Sequence, residues 1–401
     1  MPIRRLALAA LAVLAASPVQ ARETTAARLF IADREAPTLT VVDLEAAAVD
    51  TLLKMPAPSG YLLPGPSPRD LFAIHGAAGS VSLVDTGIAL EDHGDHADLT
   101  VEAPAIWPAI AEGARPSHTL AKDGTVAVFL DGTGEALLLP VAALPAPAAP
   151  PVRVASGLAH HGVAVPVGQD VLISIAEQQG ERAVPVGLAL KGRDGAEKAV
   201  FRDCPRLHGE AAIGPTVIAG CQDGVLAVTV TKDGTATARK LPYPKDAGAT
   251  DNNARVWTLD PVPGMTAAMG EGGRDALFLV DPAGGEITRI PLPGARVHAI
   301  PDPEVFAHAL VLTADGTLHR VSLLDGAVAA SAPVTGPVDM ASRGGPPRPV
   351  IAATVGHVAV LDPLRKEVVR LDAKTLKETG RIPLDGAPHR MMATGGRGTV
   401  H

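Results

Sequence analysis

The stretch "TVAVFLDGTGEALLLPV", residues 125–141, decides the fold. An apolar, partly β-branched run fills Thr125–Leu130, the "DGTG" that follows turns the chain, and a second apolar run carries it back to Pro140. Two short runs around a Gly-rich turn read as a β-hairpin. The pattern recurs at "ARLFIADREAPTLTVVDL" from Ala27, "RDLFAIHGAAGSVSLVD" from Arg69, "DVLISIAEQQGERAVPV" from Asp170 and "TVIAGCQDGVLAVTV" from Thr216. It returns at "DALFLVDPAGGEITRIPL" from Asp275, "HALVLTADGTLHRVSL" from His308 and "PVIAATVGHVAVLDP" from Pro349. Intervals averaging about 46 residues match a four-stranded propeller blade. With 41 Gly and 37 Pro spread along the chain, the connectors cannot hold the helices a parallel α/β sheet needs. The expected fold is therefore all-β, a single closed β-propeller over residues 22–401 with eight blades, seven being the alternative. The C-terminal "PHRMMATGG" from Pro388 reads as an inner strand with no hairpin after it, and the copy at Ala27 as a hairpin with no inner strand before it. Joining them completes one blade from both chain ends and leaves no open edge.

Composition narrows the partners. The chain has 401 residues, 47% hydrophobic and 19% charged, which is globular. Its 35 Lys and Arg against 43 Asp and Glu give a net charge of −8, and only 2 Trp, 2 Tyr and 6 Phe are present, so nucleic acid is excluded as a partner class. Residues 1–21 read as a secretory signal peptide: Arg4 and Arg5, an apolar run from Leu6 to Ala16, and Val19-Gln20-Ala21 as the cleavage site. The apolar run is about half of the ~20 residues needed to cross a bilayer, so no membrane insertion is expected. The mature chain is expected to start at Arg22 and to work as a monomer in the periplasm. Cys204 and Cys221 are the two cysteines, 17 residues apart. In an exported chain such a pair is expected to form a disulfide that contributes roughly 3 kcal/mol.

Chemistry is carried by histidine. There is no nucleophile elbow, phosphate-binding loop or dinucleotide fingerprint, but there are 13 His. His118, His161 and His208 precede their hairpins by seven, nine and eight residues, and His298 and His389 stand at similar places. That register puts them at the start of inner strands, where successive blades converge on one mouth of the channel. His118, His161 and His208 come from consecutive blades and form the best zinc-ligating trio, since zinc takes three or four N, O or S donors and neutral imidazole is a favoured one. His160 or His389 is a candidate fourth ligand. A second constellation is "DHGDHAD", with His93, Asp95, His96 and Asp98 around Gly94 in a His/Asp-rich loop at residues 91–98, to which His75 can contribute. The imidazoles argue against calcium, and the lack of a Met or thiolate cluster argues against copper(I). A flexible loop of this kind is expected to exchange metal ligands one at a time.

At these residues the sequence resembles the periplasmic zinc metallochaperones of the AztD kind. The resemblance spans nearly the whole mature chain and is carried by "HHGVAVP" with His160 and His161, "CPRLHGEA" with Cys204, His208 and Glu210, and the loop at His93 and His96. It implies a β-propeller that binds zinc and hands it to the solute-binding protein of a zinc ABC transporter. It also implies ligand roles for His118, His161 and His208, then for His93 and His96, with Glu210 as a ligand or as the acceptor that orients an imidazole. Two other classes compete. A metal-dependent, lactonase-like propeller hydrolase would hold calcium through Asp, Asn and Glu where this chain has His, and a quinoprotein needs a docking Trp on each blade where this chain has Trp107 and Trp257 alone. A YVTN-type interaction scaffold leaves the histidine register without a cause.

Overall fold

The computed structural model describes residues 22–144, 149–245, 255–341 and 345–400. The signal peptide expected over residues 1–21 lies outside the described residues. Among them, no helix is long and apolar enough to cross a membrane.

Eight antiparallel sheets, each a four-stranded meander, form the blades of a closed β-propeller. Blade 1 runs through Tyr61–Pro64, Asp70–His75, Ser80–Asp85 and Ala105–Glu112, and the inner strands of blades 2 to 7 are Pro116–Lys122, Ala164–Val167, His208–Ile213, Val256–Pro261, Arg296–Pro301 and Val350–Thr354. Blade 8 is built from both chain ends: Pro388–Val400 is its inner strand and pairs antiparallel with Arg22–Asp33, followed outward by Thr38–Asp43 and Ala48–Lys54. The sequence expectation of a ring closed by its two termini holds, with eight blades.

The core lies between the blades and not along the axis. In Thr125–Leu130 every residue is buried. Val126, Val128 and Leu130 pack against Phe72 and Ile74 of blade 1, while Ala127 and Phe129 pack against Ala164 and Ile173 of blade 3. Alternate side chains of one strand thus serve two neighbouring blades. Eight such layers occur, one per blade interface, the last joining Phe30 and Leu39 of blade 8 to Leu62 and Leu71 of blade 1. Full burial of Phe129 alone is worth about 2–3 kcal/mol. The inner strands are different: Ser117–Lys122 is only part-buried, because one side of it faces the channel.

Two hairpins differ in role from the other six. The stretch at Asp275 forms the third and fourth strands of its blade, and the one at Pro349 forms the first and second, whereas the others form the second and third. Alternation around a turn looks the same for any adjacent pair of strands, so the phase within a blade was not encoded in that pattern.

In each meander the first and third strands run away from one mouth of the channel and the second and fourth return to it. His118, His208, His298 and His389 therefore share one mouth. The insertion after Ser80–Asp85 leaves blade 1 at the opposite face. It is a hairpin, Ile88–Asp92 with Ala97–Val101, that extends the blade 8 sheet by a parallel pairing of Asp98 with Thr399. Arg28 pins its root by donating to the carbonyls of Thr86 at 2.6 Å and Glu102 at 2.7 Å.

Candidate metal centre

Three imidazoles meet at the mouth. Ring centroids are 5.0 Å apart for His118 and His161, 5.1 Å for His161 and His208, and 6.0 Å for His118 and His208. His118 lies on the inner strand of blade 2 within a register shift between Pro116 and Thr119, and His208 opens the inner strand of blade 4 just before a shift at Gly209. Such bulges re-aim side chains at strand ends. Gly209 needs its positive φ of 73° and its missing Cβ, which would stand 2.5 Å from the Trp257 carbonyl oxygen. His161 sits in the connector ahead of Ala164–Val167, not on the strand that its register suggested.

The Nδ1 atom of every ring is engaged. His118 Nδ1 bonds the Glu210 carboxylate at 3.0 Å, His161 Nδ1 bonds Asp131 Oδ2 at 2.7 Å, and His208 Nδ1 bonds the Trp257 carbonyl at 2.7 Å. These acceptors fix each ring's orientation and put a proton on Nδ1, leaving Nε2 for the shared space. Asp131 is itself held by Ser117 Oγ at 2.5 Å. Burial raises its pKa, but the bonds from His161 and Ser117 outweigh that and hold the carboxyl below its ordinary value.

The electrostatics separate the rings. Burial opposes a charge on His118, yet the Glu210 carboxylate and the charge of Asp131 more than offset it and raise its pKa. Burial, with the nearby charges of His118, His161 and Arg255, pushes His208 down to about 4, against the hydrogen bond to Trp257. His208 is therefore a neutral donor at neutral pH. His118 Nε2 and His161 Nε2 are 3.3 Å apart. With both Nδ1 protons committed, one Nε2 must carry a proton for that contact to attract.

The other candidates lie elsewhere. His160 points away from its neighbour into the blade, with Nδ1 on the Leu158 carbonyl at 2.7 Å and Nε2 on Ser174 Oγ at 2.9 Å. Both nitrogens are occupied and it is buried, so the structure does not bring it to the trio as a fourth ligand. Gly162 allows this split, since a Cβ there would stand 2.2 Å from Ser174 Oγ and 2.6 Å from His160 Nε2. His389, on the far side of the mouth, bonds the Ser59 carbonyl at 3.0 Å. His75 is fully buried beside Ser82 and does not reach the His/Asp insertion.

That insertion is the tip of a hairpin and not an open loop, with the His93 N–H donating to the His96 carbonyl at 2.9 Å. The rings of His93 and His96 stack at 5.1 Å, Asp98 lies 3.2 Å from His93 Nε2 and 3.4 Å from His96 Nε2, and Asp95 bonds His96 Nδ1 at 2.7 Å. Strand direction puts this tip on the face opposite the trio. From His389 to Thr399, beside Asp98, ten extended residues cover about 33 Å. The two clusters therefore lie on opposite faces of the ring, too far apart to share one ion.

Cys204 and Cys221 form a disulfide with Cα atoms 4.8 Å apart. It joins the connector that leads into His208 to the end of the second strand of blade 4, and both residues are fully buried. Among the described residues, no group of three or more His, Cys, Asp or Glu is placed to hold a metal ion as it stands, and in the trio the widest gap is the 6.0 Å between the ring centroids of His118 and His208. Asp131 and the Trp257 carbonyl were not singled out from the sequence. Asp131 reads there as part of a turn, and a backbone acceptor has no residue signature.

No family model matches the sequence. The chain is 36% identical over 382 residues to the zinc chaperone AztD of Citrobacter koseri, a match covering 94% of this chain and 89% of that protein. The chain belongs to the AztD zinc-chaperone family. The crystal structure of Citrobacter koseri AztD superimposes with a TM-score of 0.87 at 35% identity, over 94% of this chain and all of that one. The apo form of the same AztD gives 0.85 at 34% identity, over 94% of this chain and 99% of that one. The dihydro-heme d1 dehydrogenase NirN shares the fold, with a TM-score of 0.59 over 91% of this chain and 74% of its own, at 14% identity. The AztD family, unlike NirN, is named for metal handling and not for an enzyme activity.

Proposed function

We propose that this protein is a periplasmic zinc metallochaperone that binds zinc through His118, His161 and His208 and delivers it to the solute-binding protein of a zinc ABC transporter. The observation that carries this reading is the set of three adjacent imidazoles whose Nδ1 atoms are all engaged by acceptors, which leaves the three Nε2 atoms as the metal donors. Two nitrogens on one tetrahedral zinc, each about 2.0–2.1 Å from it, stand roughly 3.3–3.4 Å apart. His118 Nε2 and His161 Nε2 already stand at 3.3 Å. A modest rotation of His208 brings in the third donor, and the open side of the mouth leaves the fourth position to water or to a ligand of the acceptor. Zinc here is cargo, and an incomplete protein shell suits cargo that has to leave. The buried Cys204–Cys221 disulfide agrees with an oxidising compartment and with export through residues 1–21.

His93, His96, Asp95 and Asp98 form a second, more exposed binding point of lower affinity. Because it lies on the other face, transfer from the mouth runs through the mouth and not through the hairpin tip. Family membership favours this function over the lactonase-like and YVTN-type alternatives. The test is zinc stoichiometry and affinity of the stripped protein against a chelator, followed by transfer to a metal-free solute-binding protein. Tight one-to-one binding lost in the triple Ala variant at 118, 161 and 208 is expected. Transfer no faster than spontaneous release to the chelator would reduce the protein to a zinc store.

A further inference from the structure

Across the same mouth from the histidine trio, between blades 5 to 8, lies a cavity of about 670 Å³. Arg34, Arg274, Arg348 and Arg390 line it together with His298 and His389, and no Asp or Glu does. This is a local reversal of sign in a chain of net charge −8. Four guanidinium groups drawn to one concavity repel one another, so the arrangement costs stability unless something anionic fills it.

The arginines are not consumed by the fold. Among the described residues, neither the Arg274 nor the Arg348 guanidinium has a hydrogen-bond or ion-pair partner. Arg390 uses Nε on the Gly60 carbonyl at 3.1 Å and lies 5.1 Å over the Tyr61 ring, which positions the group and leaves its terminal nitrogens unused. Arg34 has only a solvent-exposed approach to Glu35 at 3.8 Å. The acid beneath, Asp33, is spent on backbone N–H groups of Glu35, Ala36 and Ala387 at 2.7–2.8 Å. Pro346, Pro347 and Pro349 also line it, and their fixed φ stiffens that stretch of the rim. A cavity of this size takes a small-molecule group or a few side chains, and planar guanidinium forks pair with carboxylate and phosphate oxygens.

We infer that this cavity is a binding site for a multiply charged oxyanion, presented either as a free ion or as clustered carboxylates on an acidic protein segment docking at this mouth. The site does not depend on the zinc reading, because it is assayed on metal-free protein. The test is calorimetric titration of the full metal-stripped chain with inorganic phosphate, with citrate and with a hexaglutamate peptide. Saturable one-to-one binding of at least one probe is expected, with Kd below about 1 mM. Citrate or phosphate binding points to a free ion, and binding of the peptide alone points to a protein-borne acidic segment. In Arg274→Gln/Arg348→Gln, affinity is expected to fall tenfold or more while zinc stoichiometry stays intact, and a melting curve checks that the variant is folded. Should that variant fail to fold, a steep loss of wild-type binding with rising salt is the equivalent expected result. Absence of saturable binding by all three probes, or affinity unchanged in the folded double variant, would overturn the inference.

Discussion

The two histidine clusters solve the same chemical problem at different scales. At the mouth, the ligand candidates come from three blades, with His118 and His161 alone 43 residues apart, and each ring is oriented by a group outside the trio. At the hairpin tip, His93 and His96 stack within one turn and share Asp98. The tip is the more local and the more exposed of the two, and its imidazoles are already engaged by carboxylates of the same hairpin. A site assembled by the whole ring is rigid and selective, whereas one carried on a turn forms cheaply and holds loosely. The cost of orienting a ligand is thus met either by the fold or by the metal at the moment of binding.

The largest effects are expected when rings are removed from each cluster in turn. His118→Ala, His161→Ala or His208→Ala is expected to weaken the tight zinc site by about a hundredfold or more, roughly 3 kcal/mol, as one of three protein ligands is lost. His93→Ala/His96→Ala is expected to leave that site unchanged. Competition against a chelator reads both, and equal losses in the two would erase the distinction.

Orienting groups come next in size. Asp131→Asn and Glu210→Gln remove the charges that hold His161 and His118, and each is expected to cost 10- to 100-fold in zinc affinity with the fold retained. Asp98→Asn at the tip is expected to leave the tight site alone.

Removal of the disulfide probes the coupling of the mouth to its scaffold. Cys204→Ser/Cys221→Ser is expected to lower stability by roughly 3 kcal/mol. It frees the connector that precedes His208, so affinity at the mouth falls with it while the tip is unaffected. Denaturant melts and zinc titration of the same variant measure the two effects side by side.

The fold was legible because a strand buried on both faces between two blades demands an apolar run, and eight such interfaces print the run repeatedly. The trio was legible for the same reason, since repetition turns a shared register into shared position. What the sequence withheld was direction and long-range pairing. His160 and His161 are adjacent imidazoles, yet one is buried on Ser174 and the other opens to the mouth, a choice made by packing around Gly162. The insertion at 91–98 was readable as a cluster of His and Asp, but its place on the opposite face follows only from the strand order of blade 1. That placement separates any one-at-a-time ligand exchange at the tip from metal held at the mouth.

The smallest expected effect follows from it. With the clusters about 30 Å apart, His93→Ala/His96→Ala is expected to change the rate of zinc delivery from the mouth by less than about twofold, the independence usual for distant sites. A stopped-flow assay with protein loaded with one equivalent of zinc measures it, and a several-fold slowing would restore the hairpin to the transfer route.

The central claim is the location of the ion. Crystals of the protein carrying one equivalent of zinc, measured at the zinc absorption edge, give its position from anomalous scattering without assumption. A single peak is expected within about 2.0–2.1 Å of the Nε2 atoms of His118, His161 and His208. A peak between His93 and His96, with none at the mouth, would contradict it.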